Sequence, residues 1–340
     1  MNIQRSVDLK WNALTHRLGR VPVVALTPHS RCNCRCIMCD IWKANRSGTS
    51  ISEAQLSALL GDFRRLGVEW VLLTGGEPLM HPNLWSLCAM LKSLPARITL
   101  LSTGLLLSRH AADITRHCDE VIVSLDGSPK VHDRIRNIPN AFRQLVDGVA
   151  SLRKADSRFP VSARCVLQRL NFEDLPNIIV TAREIGLDHI SFLAADISSS
   201  AFNRPDGWSD DRIGDVCLSA DEADQFTDVV EKTLVRHRSE FESGFIVESP
   251  AKMRGLAAYY RAANGEGSFP RVECNAPWVS TVIEADGSVR PCFFHPPLGN
   301  VNTQSIGAVL NSDNAIRFRR DLDVGRDPVC RRCVCTFRMT

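Results

Sequence analysis

Residues 21–39 read VPVVALTPHSRCNCRCIMC, and residues 69–80 read EWVLLTGGEPLM. Each is a short apolar run opening into a turn of unusual composition, four cysteines in the first case and paired glycines before an acid in the second. Between them SEAQLSALLGDFRRLG (52–67) spaces its apolar residues by three and four, with Ser52 at an N-cap position and Gly67 as its stop. Strand, helix and strand in this order predict a parallel pair joined by a right-handed crossover.

The same alternation runs on. Strands are expected at 97–102, 120–125, 160–167 and 189–195, and helices at 83–94, 140–155 and 171–186, the last capped by Asn171 and stopped by Gly186. About six βα units follow, which allow an open doubly wound sheet or a complete or partial barrel. No short repeat is present, which sets a solenoid aside.

Composition narrows the function classes. The chain has 340 residues, 44% hydrophobic and 23% charged, with a net charge of +3. That balance is ordinary for a globular chain and argues for neither nucleic acid nor an anionic membrane as a partner. Residues 1–20 lack a continuous apolar segment, and no run approaches the roughly 18 apolar residues of a spanning helix, so a cytoplasmic location is expected.

The pattern changes after Asp196. Residues 198–215 are polar and irregular, expected as a loop over the barrel mouth, and a helix is expected near 219–238. Residues 278–294 read as a hairpin turning at Asp286-Gly287, followed by two short helices and the terminal CRRCVC. Four segments result: an N-terminal extension (1–20), a core barrel (21–196), a capping and connecting region (197–270) and a small C-terminal unit (271–340).

Thirteen cysteines are unevenly placed, four in 32–39 and five in 274–335. Cys88, Cys118, Cys165 and Cys217 lie singly in regular surroundings and read as small buried hydrophobes. Cys32, Cys36 and Cys39 are separated by three and then two residues, a trio able to aim thiolates at one centre. Cys34 is the odd one out, because neighbouring side chains of an extended loop diverge. Spacing alone leaves an iron–sulfur cluster and a tetrahedral zinc site about equally open.

The cysteine loop after strand one and GGEP after strand two together resemble the radical S-adenosylmethionine (radical SAM) superfamily. LSTGLLL (101–107) and VSLDGSPKVHDRIR (123–136) are similar to later segments of that family. The resemblance implies a partial (β/α)₆ TIM-like barrel in the α/β class. It also implies that Cys32, Cys36 and Cys39 hold a [4Fe–4S] cluster whose fourth iron is chelated by S-adenosylmethionine. It places Gly75, Gly76 and Glu77 at the cofactor amine, Met38 against adenine and Ser124 at the ribose. Asp126 and Arg164, on strands four and five, are expected to point into the same mouth, where parallel barrels carry their chemistry.

Cys274, Cys292, Cys330 and Cys333 resemble the extension of the SPASM and Twitch subgroups, a small α+β unit holding an auxiliary iron–sulfur cluster, expected as [4Fe–4S]. A full SPASM extension has seven cysteines; here only Cys335 follows the terminal CxxC, which favours the shorter Twitch-like form, and Cys335 could replace Cys333. A zinc ribbon is the alternative on ligand type.

The activity implied is reductive cleavage of the cofactor to a 5′-deoxyadenosyl radical and abstraction of a substrate hydrogen. With a fully ligated auxiliary cluster as electron acceptor, net oxidation of a small metabolite is expected, supplied with electrons by a flavodoxin or ferredoxin. The alternatives are a maturase of a ribosomal peptide, and a non-enzymatic metal-binding or electron-carrier protein. The catalytic acid or base has no signature in the sequence.

Overall fold

The computed structural model describes residues 3–339; residues 1, 2 and 340, at the outer edges of the first and last expected segments, lie outside the described residues. Its strands are β1 (Val23–His29), β2 (Trp70–Gly75), β3 (Arg97–Ser102), β4 (Glu120–Ser124), β5 (Val161–Leu167), β6 (His189–Ala194), β7 (Ser280–Ile283), β8 (Ser288–Arg290) and β9 (Gly299–Asn300). Up to β6 the helices are α1 (Ile3–Thr15), α2 (Glu53–Arg65), α3 (Leu84–Leu91), α4 (Leu107–His117), α5 (Pro129–Arg136), α6 (Ala141–Ala155) and α7 (Leu175–Glu184). Beyond it lie α8 (Asp210–Val216), α9 (Ala220–Arg236), α10 (Arg238–Glu242), α11 (Pro250–Ala263), α12 (Ala276–Val279), α13 (Ile306–Leu310), α14 (Asp313–Asp321) and α15 (Pro328–Arg331).

β1 to β6 are parallel and pair in sequence order, so the sheet is an open partial barrel of the α/β class. Alternation along the strands sets its two faces. Val71, Leu73, Val121, Val123, Ala163 and Cys165 are buried against the helices, whereas Leu72, Thr74, Ile122, Ser124, Ser162 and Arg164 are half-buried on the inner face. A parallel sheet covered on both faces buries both sets. The half-buried set therefore marks a lumen.

Three features differ from the sequence reading. First, the C-terminal hairpin continues the barrel sheet: β7 runs parallel to β1, with Val23 opposite Ser280, and β8 and β9 add antiparallel strands. Second, α1 is a full helix, tied down by Asn12, whose buried side chain donates to the carbonyls of Arg20 and Trp278 at 2.6 and 2.9 Å. Third, Asn171 caps no helix. Its amide donates to the carbonyls of Asp126 and Val166, bracing the ends of β4 and β5, and α7 begins four residues later. Ser52, by contrast, caps α2 in a reciprocal pair with Gln55.

The open edge of β6 is covered by residues 245–248. Ile190 donates to the Phe245 carbonyl at 2.8 Å and accepts from Val247 at 3.0 Å. The Phe192 amide is met by the Glu248 carboxyl at 2.8 Å. That pairing hides an edge that is otherwise a template for aggregation. None of the described helices is long and apolar enough to cross a membrane.

Candidate active site

The cysteine loop is anchored from two sides. Asn45 brackets Cys32 with two 2.9 Å hydrogen bonds to its backbone. From α5, the carbonyls of Arg136 and Ile135 accept the amides of Arg35 and Ile37 at 3.2 and 3.1 Å. Thus the C-terminal end of a helix reads the loop backbone across the barrel mouth, using carbonyls that helix geometry leaves unpaired.

The thiols occupy different environments. Cys36 is buried; the Cys34 thiol hydrogen-bonded to it and the nearby Arg136 outweigh desolvation and bring it down to about 7. Burial first, and neighbouring thiols, push Cys32 and Cys39 up to about 12. Cys34, expected to diverge, instead turns its thiol onto Cys36 and is driven far upward by that bond and by burial. Residues two apart on an extended loop share a side, which is why the expected divergence does not occur. Donors already converge on the sulfurs: Arg136 Nη1 lies 3.5 Å from Cys36 Sγ, and the Ile41 amide 3.5 Å from Cys39 Sγ. Such a set, soft thiolates with hydrogen bonds and a cation behind them, fits an iron–sulfur cluster.

GGEP closes the other side of the loop. The Glu77 amide donates to the Arg31 carbonyl at 2.8 Å, and a Cβ on Gly76 would sit 2.0 Å from that oxygen. Only glycine permits this approach. The Glu77 side chain is fully buried and accepts from Ser102 Oγ, Thr103 N and Oγ1, and Leu79 N at 2.6–3.1 Å. Burial raises its pKa despite these donors. Its carboxylate straps β2 to β3, so it is the backbone of this segment that faces the loop.

Ser124, Arg164 and Ser191 form one row across β4, β5 and β6 on the lumen face, with Arg164 Nε 3.3 Å from Ser191 Oγ. Met38 is half-buried on the cysteine loop. Asp126 stands outside this row. It is wholly buried, with one oxygen on the Val166 amide at 3.0 Å and the other paired with Arg136. A carboxylate this dry requires a charged partner, and Arg136 supplies it beside Cys36.

Residues 196–216 fold over the cysteine loop, although Asp210–Val216, expected within an irregular loop, form α8. Trp208 Nε1 donates to Asp40 Oδ2 at 2.8 Å, Arg212 reaches the Ile37 carbonyl, and Arg204, paired with Asp196, stacks on Trp208 at 4.3 Å.

The C-terminal thiols form a second group. Cys274, Cys292, Cys330 and Cys333 are all half-buried, and burial first raises Cys292 to about 11 and Cys330 and Cys333 further. Cys292 and Cys333 each feel both Cys274 and Cys335, so Cys335 belongs to the same group. His295 Nε2 lies 3.3 Å from Cys330 Sγ, and Asp327 accepts the amides of Val329 and Cys330.

Glu248 was not legible in the sequence. It binds the Phe192 amide beside the lumen, and burial raises it to about 7 against the pull of Arg164 and Lys252. Lys252 reaches Thr336 Oγ1 at 2.7 Å, and the Cys335 thiol feels Arg164 as well as Lys252. Barrel row and C-terminal tail therefore face one space.

Residues 26–182 match the radical SAM superfamily, and residues 274–334 the SPASM iron–sulfur cluster-binding domain. The chain is 25% identical over 311 residues to an AdoMet-dependent heme synthase of Methanosarcina barkeri, covering 85% of this chain and 82% of that one. It is 24% identical to the subtilosin biosynthesis protein AlbA of Bacillus subtilis, covering 83% and 58% respectively. It spans about half the length of several other curated relatives it matches. In fold it resembles Streptococcus suis SuiB, solved with the precursor peptide SuiA, at a TM-score of 0.66 and 13% identity over 94% of this chain and 71% of that one. Two matched segments in this order, on an open parallel barrel, establish that the chain is an enzyme of the radical SAM superfamily, with the [4Fe–4S] cluster and S-adenosylmethionine this implies, carrying a C-terminal SPASM domain for auxiliary iron–sulfur binding.

Proposed function

We propose that the enzyme oxidises a small anionic molecule held between the two thiol groups, with Cys32, Cys36 and Cys39 as ligands of the cofactor-binding cluster and Cys274, Cys292, Cys330 and Cys333 as ligands of the auxiliary one. The four segments bounded at 20, 196 and 270 are retained as the proposed division of labour. When bound, the first cluster supplies the electron that cleaves S-adenosylmethionine to methionine and a 5′-deoxyadenosyl radical. The chain's own groups do the rest. The Gly75–Gly76 backbone receives the cofactor amine, Ser124 the ribose and Met38 the adenine. Arg164 holds a substrate anion, and Glu248 is placed to take a proton as the substrate loses a hydrogen atom and then an electron. Hydrogen atom, proton and electron together make a two-electron oxidation, with the auxiliary cluster as acceptor and a flavodoxin or ferredoxin as donor to the first.

The observation that carries this reading is the shared space of Arg164, Glu248 and the Cys335 tail. A substrate there touches the barrel mouth and the auxiliary thiols at once. The cationic pair Arg164 and Lys252 favours a carboxylate-bearing ligand. The similarity to a heme synthase along most of both chains makes iron porphyrins the first substrates to supply. Anaerobic protein given reductant, cofactor and iron coproporphyrin should form 5′-deoxyadenosine together with an oxidised porphyrin in equal amounts. Product from a cysteine-containing peptide and none from any porphyrin would replace this reading by peptide maturation, which the similarity to AlbA favours.

A further inference from the structure

The segment VSLDGSPKVHDRIR ends in Arg136, a residue with no task in the reading above. Its side chain is 8% exposed, one nitrogen pairs with Asp126, another lies 3.5 Å from Cys36 Sγ, and Nε has no hydrogen-bond partner among the described residues. Burial works against its charge and Asp126 supports it; a guanidinium stays protonated in proteins. Asp126 is itself fixed on every side. Its amide donates to His132 Nδ1 at 3.1 Å, its carbonyl accepts from Asn171 at 2.8 Å, and one carboxyl oxygen accepts from Val166 at 3.0 Å. His132 is neutral, lowered to about 3 by burial and then by Arg136, so it adds no charge of its own. A guanidinium and a carboxyl group thus stand in a row behind a single sulfur.

We infer that Arg136 is a positioning residue that raises the reduction potential of the cluster ligated by Cys36, and that Asp126 sets how much of its charge the cluster feels. This rests on the ligand assignment proposed above. One-electron reduction adds a negative charge to the cluster. A fixed cation and a hydrogen bond at a ligand sulfur stabilise the reduced form, and a fixed anion behind the cation offsets part of that effect. The device matters because an enzyme of this class depends on reducing this cluster before anything else happens. It also explains why the buried pair stands behind Cys36 at all: hydrophobic residues would fill the same volume with no desolvation cost.

The test is a potentiometric titration, read by electron-spin resonance, of R136Q, R136K and D126N full-length protein with S-adenosylmethionine bound, beside iron counts and with the auxiliary cluster as internal reference. R136Q should lower the ratio of reduced to oxidised cofactor-binding cluster about tenfold at one fixed solution potential, about 59 mV for one electron. R136K should fall between R136Q and wild type, and D126N should shift the opposite way, while the auxiliary cluster stays put in all three. Opposite signs from the two halves of one ion pair are not what a packing defect produces. If R136Q does not fold, the positive shift of D126N and the partial shift of R136K carry the test. Iron-replete R136Q with an unchanged potential, or D126N shifting the same way as R136Q or R136K, overturns the inference while leaving the ligand assignment standing. A wild-type protein whose signal ignores S-adenosylmethionine overturns both.

Discussion

The two thiol groups are built by opposite means. Cys32, Cys36 and Cys39 lie within eight residues, on a loop clamped by Asn45 and by the end of α5, with a buried cation behind the central sulfur. The C-terminal group spans 274–335 and needs a hairpin, two helices and the tail to meet. His295 and Asp327 stand beside its Cys330, and the cations Arg164 and Lys252 act on its Cys335, where the first group has Arg136 at its central sulfur. Compactness makes the first site a local property of the chain. Dispersion makes the second a product of folding, coupled to the docking of β7 on β1 and of Arg319 on the His16 carbonyl at 2.8 Å.

The largest effect that can break this contrast is at Cys36. Cys36→Ala should abolish 5′-deoxyadenosine formation and remove about half the iron while the C-terminal site keeps its share. Iron analysis and product chromatography on anaerobically reconstituted protein check it; retained cleavage means that Cys34 is a ligand after all. Next comes the double change Cys292→Ser with Cys330→Ser, expected to keep cofactor cleavage but form little oxidised product. Normal product from that folded protein ends the electron-acceptor role of the auxiliary cluster.

A smaller effect separates the strap from the ligands. Glu77→Gln replaces a carboxylate that accepts from Ser102, Thr103 and Leu79, and should cost about 1–3 kcal/mol of stability without removing iron. Denaturant unfolding of the apoprotein measures it, and an unchanged midpoint means the strap contributes nothing. The smallest effect concerns Glu248. Burial raises it from 4.5 to about 7, so the folded protein keeps a proton that the unfolded chain releases. Its contribution is fully present below pH 4.5 and is lost as pH rises to about 7. Glu248→Gln, which mimics the protonated form, should flatten the stability profile across that window. An identical slope in mutant and wild type removes the perturbed acid.

What the sequence made legible follows from the same contrast. Six strands, the capping box at Ser52 and the pairing of CNCRCIMC with GGEP are short-range patterns, and all have counterparts in the fold. The pairing of Asp126 with Arg136 was not legible because the partner sits ten residues on, and only the turn of α5 brings the pair to Cys36. Glu248 gave no signal because its burial is created by β6 and the C-terminal tail, both distant in sequence. The hairpin at 286–287 was readable from its turn, yet its alignment on β1 depends on register across more than 250 residues.

The central claim is a division of labour: one cluster meets the cofactor and the other does not. Electron-spin resonance of the reduced protein, recorded with and without S-adenosylmethionine, tests it in two variants, the triple change of Cys32, Cys36 and Cys39 to Ala, and the double change of Cys292 and Cys330 to Ser. The cofactor should alter the spectrum of the double variant and leave that of the triple variant untouched. A cofactor-dependent spectrum in the triple variant would contradict the assignment outright.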